Sequence, residues 1–434
     1  MNRFFILFFL AITIIACNKD DDFVPRAEVD KLSLQFSNEA GTDSFGIISN
    51  VKWTIEKDAD WLTLSGESGS SDAIIEVGAN ENTITAPRSA TIRVKAEGLP
   101  DIVIAVTQGK ALETAGLYIL SEGYYNSYTS NLAYYDMKTG QLTTNYFGQK
   151  NNDAQLGDGA NDLAIYGSKL YCVVTGSDDV PGHIEIINPE TGVSIKRLTI
   201  EENGVASLPR CITFYGNKAY ITTYANNIAR LDTASLEIDG KANLSGTYPE
   251  GICQYNGHLY VCNSGYGYGT TISVVNINSF SEIETITVPQ NPLKIEATAS
   301  GEIYFSTSDA TWYGGEQSNL YLLNPVEKRV TNTFDIRASR IAIGKDFIYA
   351  VDIDWSDYSD HIHRINLQTK EISDISSWFE DFAMVYSVSV NPLNNDVYLT
   401  NQGQDCVVFD KDGNQKLELK TGIAITSVVV PVIK

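Results

Sequence analysis

Ile165-Tyr166-Gly167-Ser168-Lys169-Leu170-Tyr171 decides the fold of the larger part of this chain. Alternating apolar residues enter a two-residue Gly167-Ser168 turn and leave it towards a tyrosine, the pattern of a tight β-hairpin whose turn tolerates positive φ. The same hairpin returns around Gly216-Asn217 and Asn256-Gly257. Its tyrosine recurs seven times, as Tyr118, Tyr171, Tyr220, Tyr260, Tyr304, Tyr349 and Tyr398, at intervals of 40 to 53 residues. Each is followed 12 to 20 residues later by an Asp or Asn leaving a second apolar run: Asp136, Asn188, Asp232, Asn276, Asn324, Asn366 and Asp410. Such a period is that of propeller blades. Each blade reads as a four-stranded meander a, b, c, d whose edges are sheltered by packing around an axis.

The ends of this region are complementary. Gly422 to Val430 reads as a strand a with no strand b after it, whereas Gly116-Leu117-Tyr118 opens on a strand b with no strand a before it. The last strand is therefore expected to complete the first blade and close the ring.

Outward from the repeats, Val29 to Gly109 alternates in short runs: Leu32 to Phe36, Trp53 to Ile55, Trp61 to Leu64, Ile74 to Val77, Ala90 to Val94 and Ile102 to Val106. Turn-rich segments between them predict a small immunoglobulin-like β-sandwich. Both tryptophans sit in apolar runs and are read as core. The fold class is all-β, an N-terminal sandwich followed by a seven-bladed β-propeller, with boundaries at 29–110 and 116–434.

Ahead of the sandwich, Asn2 and Arg3 precede an apolar run from Phe4 to Ile15, too short to span a bilayer but suited to a secretory signal. Residues 1–16 are read as that signal and 17–28 as an acidic linker. The chain has 434 residues, 43% hydrophobic and 20% charged, with 31 basic against 54 acidic side chains and a net charge of −23. That composition argues against disorder, and its sign argues against a nucleic-acid partner. Of six cysteines, Cys172, Cys211, Cys253, Cys262 and Cys406 show no metal-type spacing, and buried free thiols are expected.

Ile14-Ile15-Ala16-Cys17 resembles the lipobox of bacterial lipoproteins, which implies acylation at Cys17 and a membrane anchor. Asn18-Lys19-Asp20-Asp21-Asp22 is similar to the surface-export signal of Bacteroidetes lipoproteins, which implies an outer-membrane protein facing the cell exterior. Trp53-Thr54-Ile55, Asp60-Trp61-Leu62-Thr63-Leu64-Ser65, Asn82, Arg88-Ser89-Ala90-Thr91-Ile92 and Val106-Thr107-Gln108-Gly109 resemble the BACON domain. That family implies carbohydrate or mucin contact, or a stalk, and we read a stalk. The repeats resemble seven-bladed YncE-like, YVTN-type surface propellers. They are closer to BtuG-type cobalamin-binding lipoproteins, through Gly116-Leu117-Tyr118-Ile119-Leu120-Ser121-Glu122-Gly123, Leu156-Gly157-Asp158, Asn161-Asp162, Ile165 to Tyr171, and Tyr260-Val261-Cys262-Asn263-Ser264-Gly265. The resemblance implies capture of cobalamin or another corrinoid for a TonB-dependent transporter. A glycan, a siderophore or haem is the alternative ligand, and a propeller carbohydrate-active enzyme or a mucin adhesin the alternative class.

In the predicted meander, a–b and c–d turns share one face, and b–c loops and d–a crossings share the other. The second face is aromatic: Tyr124, Tyr125, Tyr128, Tyr224, Tyr248, Tyr266, Tyr268, Trp312, Tyr313, Trp355, Tyr358 and Tyr386, with Arg210 and Arg340 opening strands a on the same rim. Rings around a central depression suit stacking on a large ligand, and the arginines suit a phosphate or carboxylate. Asp352, Asp354, Asp357 and Asp360 invite a calcium reading, but their spacing departs from the EF-hand loop and a solvated acidic loop is preferred. His361 and His363 alternate on one strand face and lack an identified third ligand. No nucleophile elbow, HExxH motif or phosphate loop occurs, and only His183, His258, His361 and His363 could serve as imidazole bases. No enzyme activity, resident cofactor or metal is expected.

Overall fold

The computed structural model describes residues 23–433 apart from 85, 112, 203 and 380–382. The expected signal, Cys17 lipidation site and Asn18 to Asp22 export motif lie outside the described residues. The chain divides into two compact units, Met1–Glu113 and Thr114–Lys434.

In the first unit, Ala27–Val29, Gly41–Ser49, Ala73–Ala79 and Leu62–Leu64 form one sheet. Ser33–Phe36, Ile102–Gln108, Arg88–Ala96, Trp53–Lys57 and Ser68–Gly69 form the other, with Ser33–Phe36 running parallel to Ile102–Gln108. Alternate residues face inward as a pleated strand demands: Phe45 and Ile47, Trp53 and Ile55, Ile75 and Val77, Ile92 and Val94, Ile104 and Val106 build a common core. The strand Gly41–Ser49 and the opening strand Ala27–Val29 escape the sequence reading. In the former, the two inward apolar residues are interspersed with Gly, Ser, Thr and Asp, which mimic a loop.

The motif residues of this unit turn out to hold its backbone together. Buried Asn82 donates through Nδ2 to Ala86 O (3.0 Å) and Gly109 O (2.8 Å). Buried Gln108 donates through Nε2 to Asn80 O (3.0 Å) and Glu39 O (3.2 Å), and its Oε1 accepts from Arg88 Nε (2.8 Å). Loop carbonyls are thus satisfied by buried amide side chains. Trp53 is core, with Nε1 donating to Ser71 O (2.9 Å), while Trp61 packs at the core edge beneath the Arg88 guanidinium, 4.4 Å above its ring.

The second unit contains seven four-stranded antiparallel sheets. Blade 1 is Ile425–Val429, Gly116–Ser121, Asn131–Asp136 and Gln141–Thr143; blade 2 is Ala160–Tyr166, Lys169–Val174, His183–Ile187 and Ser194–Leu198. Blade 3 follows as Pro209–Tyr215, Lys218–Thr223, Asn227–Asp232 and Glu237–Asn243, and blade 4 as Pro249–Tyr255, His258–Asn263, Thr271–Asn276 and Ser281–Thr287. Blade 5 is Pro292–Ala297, Ile303–Thr307, Leu320–Asn324 and Arg329–Thr333; blade 6 is Arg340–Ile343, Phe347–Asp354, Ser359–Asn366 and Ile372–Asp374; blade 7 is Val385–Val390, Val397–Asn401, Asp405–Phe409 and Gln415–Lys420. Each strand a contacts the next, and Ile425–Val429 contacts both its predecessor and Ala160–Tyr166, so the ring is closed by the carboxyl-terminal strand.

Both repeating marks are architectural. The seven tyrosines stand on strands b and are buried, and several send the hydroxyl to a polar partner, as Tyr118 does to Pro189 O (2.7 Å). Six of the seven Asp or Asn residues accept the backbone N–H groups two and three residues ahead at 2.8 to 3.2 Å. Asp410 accepts those of Asp412 and Asn414 (2.9 Å each). These Asx turns fold strand c back onto strand d. The expected a–b turns also form, with Gly167 and Gly216 at φ 60° and Asn256-Gly257 at 46° and 74°. The five cysteines are buried free thiols, and Cys253 pairs across the hairpin with Tyr260.

Candidate functional site: an aromatic rim over an axial cavity

Strands a do not begin smoothly. In six blades the register slips at the second residue or at the second and third: at Asn161, Arg210–Cys211, Glu250–Gly251, Leu293–Lys294, Tyr386 and Thr426. Such bulges re-aim side chains at the mouths of barrels and sites. Here each bulge turns a residue towards the axis, and together with Arg340 they line one cavity: Asn161, Arg210, Cys211, Glu250, Leu293, Lys294, Arg340, Tyr386 and Thr426. Pro209, Pro249 and Pro292 stand at the first position of three of these strands, where the missing N–H costs least.

Around this mouth, ten rings named from the sequence are exposed: Tyr124, Tyr125, Tyr128, Tyr248, Tyr266, Tyr268, Trp312, Tyr313, Trp355 and Tyr358. Trp312 is 92% exposed. Several touch across blades: Tyr224 to Tyr248 (centroids 5.1 Å apart), Tyr248 to Tyr266 (5.3 Å), Tyr268 to Tyr313 (4.8 Å) and, within one loop, Trp355 to Tyr358 (6.4 Å). Tyr128, Tyr248, Tyr266 and Tyr358 hold positive φ of 49° to 60°. A bulky residue accepts that conformation only where its surroundings enforce it, and such strain gathers at binding sites. Beside the rim, Tyr124, Tyr128, Phe147, Gln155 and Gln404 border a 390 Å³ groove.

Three residues of the expected rim lie elsewhere in role. Tyr224 and Tyr386 are not exposed platforms: they turn inward, their hydroxyls donating to Glu250 and Glu122, and burial raises both phenols' pKa. Arg210 is not a free anion-binding fork, because its Nε donates to Glu250 (3.0 Å), Nη1 reaches Thr175 Oγ1 (3.3 Å), and its guanidinium lies 4.9 Å over Tyr224. Burial opposes its charge, and Glu250 with Tyr224 and Cys211 together more than offset that. Arg340 remains at the axis. Sequence reasoning missed Glu250, Leu293, Lys294 and Thr426, whose one signal is their place one or two residues after the strand-opening residue.

Deeper along the axis, Asp162, Lys294, Glu296, Arg340, Ser387, Ser389 and Thr426 border a further 240 Å³. Burial lifts the Glu296 carboxyl to about 7, although it accepts Ile343 N–H (3.0 Å). A folded-state pKa above the unfolded value means that the unfolded chain releases its proton first. Stability from this group is present below about pH 4.5 and is lost as pH rises towards 7. Glu296→Gln, which keeps the acceptor, is expected to raise the melting temperature at pH 8 more than at pH 4.5. Equal shifts at both pH values would contradict this.

The carboxylates of the acidic loop take protein partners. Arg337 lies among Asp309 (3.4 Å), Asp352 (3.7 Å) and Asp354 (3.2 Å). Asp360 instead accepts Met384 and Val385 N–H (2.8 Å each), and Asp357 accepts Ser359 N–H (2.9 Å). Rings of His361 and His363 are parallel, 6.4 Å apart. Among the described residues no three His, Cys, Asp or Glu side chains converge as metal ligands.

Residues 51–109 match the BACON model, described as "Putative binding domain, N-terminal". Over 106 residues, 24% of this chain, the sequence is 27% identical to the xyloglucan-specific endo-beta-1,4-glucanase BoGH5A of Bacteroides ovatus, and the chain spans about a fifth (21%) of that enzyme's length. A chain of the Kuenenia stuttgartiensis hydrazine synthase shares the fold, at a TM-score of 0.52 with 12% identity, covering 64% of this chain and 95% of that one. The WD40 domain of Neurospora crassa Pan2 aligns at a TM-score of 0.46 with 11% identity, over 62% of this chain and 81% of that one. Residues 115–404, comprising most of the ring and all its bulged strands but the last, match the model described as "Domain of unknown function (DUF5074)", and the chain belongs to that family.

Proposed function

We propose that this protein is a non-enzymatic capture protein, lipid-anchored outside the outer membrane. Its propeller rim binds a nutrient and hands it to a TonB-dependent transporter. The observation that carries the reading is the gathering of ten exposed rings, four of them on strained backbone, around one axial mouth. So much apolar surface on one face of a protein with net charge −23 is expensive to leave open unless something stacks on it. Cobalamin or another corrinoid is the ligand named by resemblance, since a macrocycle with amide side chains would use rings and hydroxyls together.

The test is co-elution. Cobalamin mixed with the full-length protein should travel with it through a desalting column, and free passage would remove the corrinoid reading. Trp312→Ala combined with Trp355→Ala is expected to weaken binding roughly tenfold, at about 0.5–1.5 kcal/mol for each stacked ring. Stability should stay within about 0.5 kcal/mol because both rings are exposed. Unchanged affinity would place the ligand elsewhere.

A second reading, a polysaccharide-binding surface protein, is favoured by the likeness of 106 residues of the chain to part of a xyloglucanase. Retention of xyloglucan or mucin oligosaccharides with cobalamin excluded would select it, and release of reducing ends would select an enzyme.

A further inference from the structure

We propose that Lys294 and Arg340 form an oxyanion site inside the propeller axis, which takes a phosphate or carboxylate group of the captured molecule. This deepens the capture reading and rests on it for the identity of the whole ligand. The site itself can be tested with inorganic and small organic anions alone.

The axial space has two compartments, 30 Å³ at the bulged tier and 240 Å³ beneath it, and Lys294, Arg340, Ser387 and Thr426 border both. The carboxylates of the same walls are committed elsewhere. Glu250 takes Arg210 and the Tyr224 hydroxyl. Asp162 takes the N–H groups of Leu163 and Ile212 (3.0 Å each), and Glu296 that of Ile343 (3.0 Å). Neither Lys294 nor Arg340 has a carboxylate within 4.0 Å among the described residues, although the molecule carries 54 of them. Arg340 donates only to Ser339 O, at 3.4 Å, and Lys294 to no protein acceptor among the described residues.

Two cations so placed repel one another; Asp162 and Glu296 favour the Lys294 charge without bonding to it, and a bound anion would add the direct hydrogen bonds that neither carboxylate supplies. A planar guanidinium beside a compact ammonium suits an oxyanion by a forked pair of hydrogen bonds and a point charge. The volume sets the scale. At roughly 30 Å³ per water, 240 Å³ holds a phosphate or carboxylate with a few waters and excludes a molecule broad enough to span the rim. The rings above would therefore hold the body of the ligand while its charged group enters the axis.

The experiment follows the melting of the full-length protein against sodium phosphate and, separately, sodium acetate or citrate, at ionic strength fixed with chloride. A saturable rise is expected with at least one series. Phosphate alone assigns a phosphoryl group, and the carboxylates alone assign a carboxylate. Lys294→Met and Arg340→Met should each weaken the rise at least tenfold. Glu296→Gln should tighten anion binding several-fold at pH 8. This variant keeps the proposal testable should either methionine variant fail to fold. Arg329→Gln, at an exposed cation, should change nothing. Absence of any saturable rise in the wild type, or a rise that survives both methionine variants, or weaker binding in Glu296→Gln, would overturn the site. None of these results bears on whether the aromatic rim retains cobalamin.

Discussion

A chain ending at Gly422 is expected to lose the cooperative melting of its propeller. The missing segment holds Ile425–Val429, the strand a of blade 1, which pairs with Gly116–Ser121 from the other end of the ring. Ile425, Val428 and Val430 are buried with Leu117, Ile119, Tyr398 and Val408. At about 1.5–3 kcal/mol for each aliphatic side chain, their loss costs roughly 5–9 kcal/mol. That is comparable to the whole stability of a domain, about 5–15 kcal/mol. The Ser387 and Thr400 hydroxyls would also lose their shared acceptor, Ile425 O (2.9 and 2.7 Å). A backbone edge would open on Gly116–Ser121 while the flank of blade 7 lost its packing partner, and unpaired edges recruit other chains. Circular dichroism melts should show the propeller transition absent or shifted far down with aggregation, and an unchanged melt would refute closure by this strand.

Architecture was legible in the sequence because the residues that repeat are the ones the fold needs in every blade. Tyr118 and its equivalents plug the space between sheets, and Asp136 and its equivalents cap a turn, so each blade repeats them. The strand Gly41–Ser49 was hidden because Thr42, Asp43, Ser44 and Gly46 surround its inward Phe45 and the outward Ile48 breaks the alternation. Strand order alone assigns the loop aromatics to one face, and ten of those named are exposed. Tyr224, Tyr386 and Arg210 were misjudged because the direction of a side chain at a bulge depends on a register slip that periodicity does not carry. Glu250 and Lys294 were missed for the same reason. The residues that line the axial cavity differ from blade to blade, so no period marks them. The repeat that reveals the ring therefore hides the site.

Arg337→Gln should be among the most damaging single substitutions in the propeller. Arg337, 11% exposed, follows strand d of blade 5 and reaches Asp309 from the b–c loop of that blade and Asp352 and Asp354 from strand b of blade 6. Removing the guanidinium leaves three carboxylates facing one another, one of them, Asp352, buried with the Ser318 hydroxyl as its remaining donor. Breaking a buried ion pair from one side costs about 3–5 kcal/mol. The vacated oxygens would then resemble a site for a hard divalent cation. Millimolar calcium is therefore expected to restore part of the lost melting temperature in the variant and to leave the wild type unmoved. A loss below about 1 kcal/mol would show that the carboxylates do not depend on this arginine. The arginine's position also joins stability to binding. Asp309 accepts Thr311 N–H (2.8 Å) one residue before Trp312, and Asp354 accepts Ser356 N–H (2.9 Å) one residue after Trp355. The two most solvent-ready tryptophans of the rim thus hang from carboxylates that one guanidinium holds, and the variant should lose affinity for the rim's ligand even at temperatures where it remains folded.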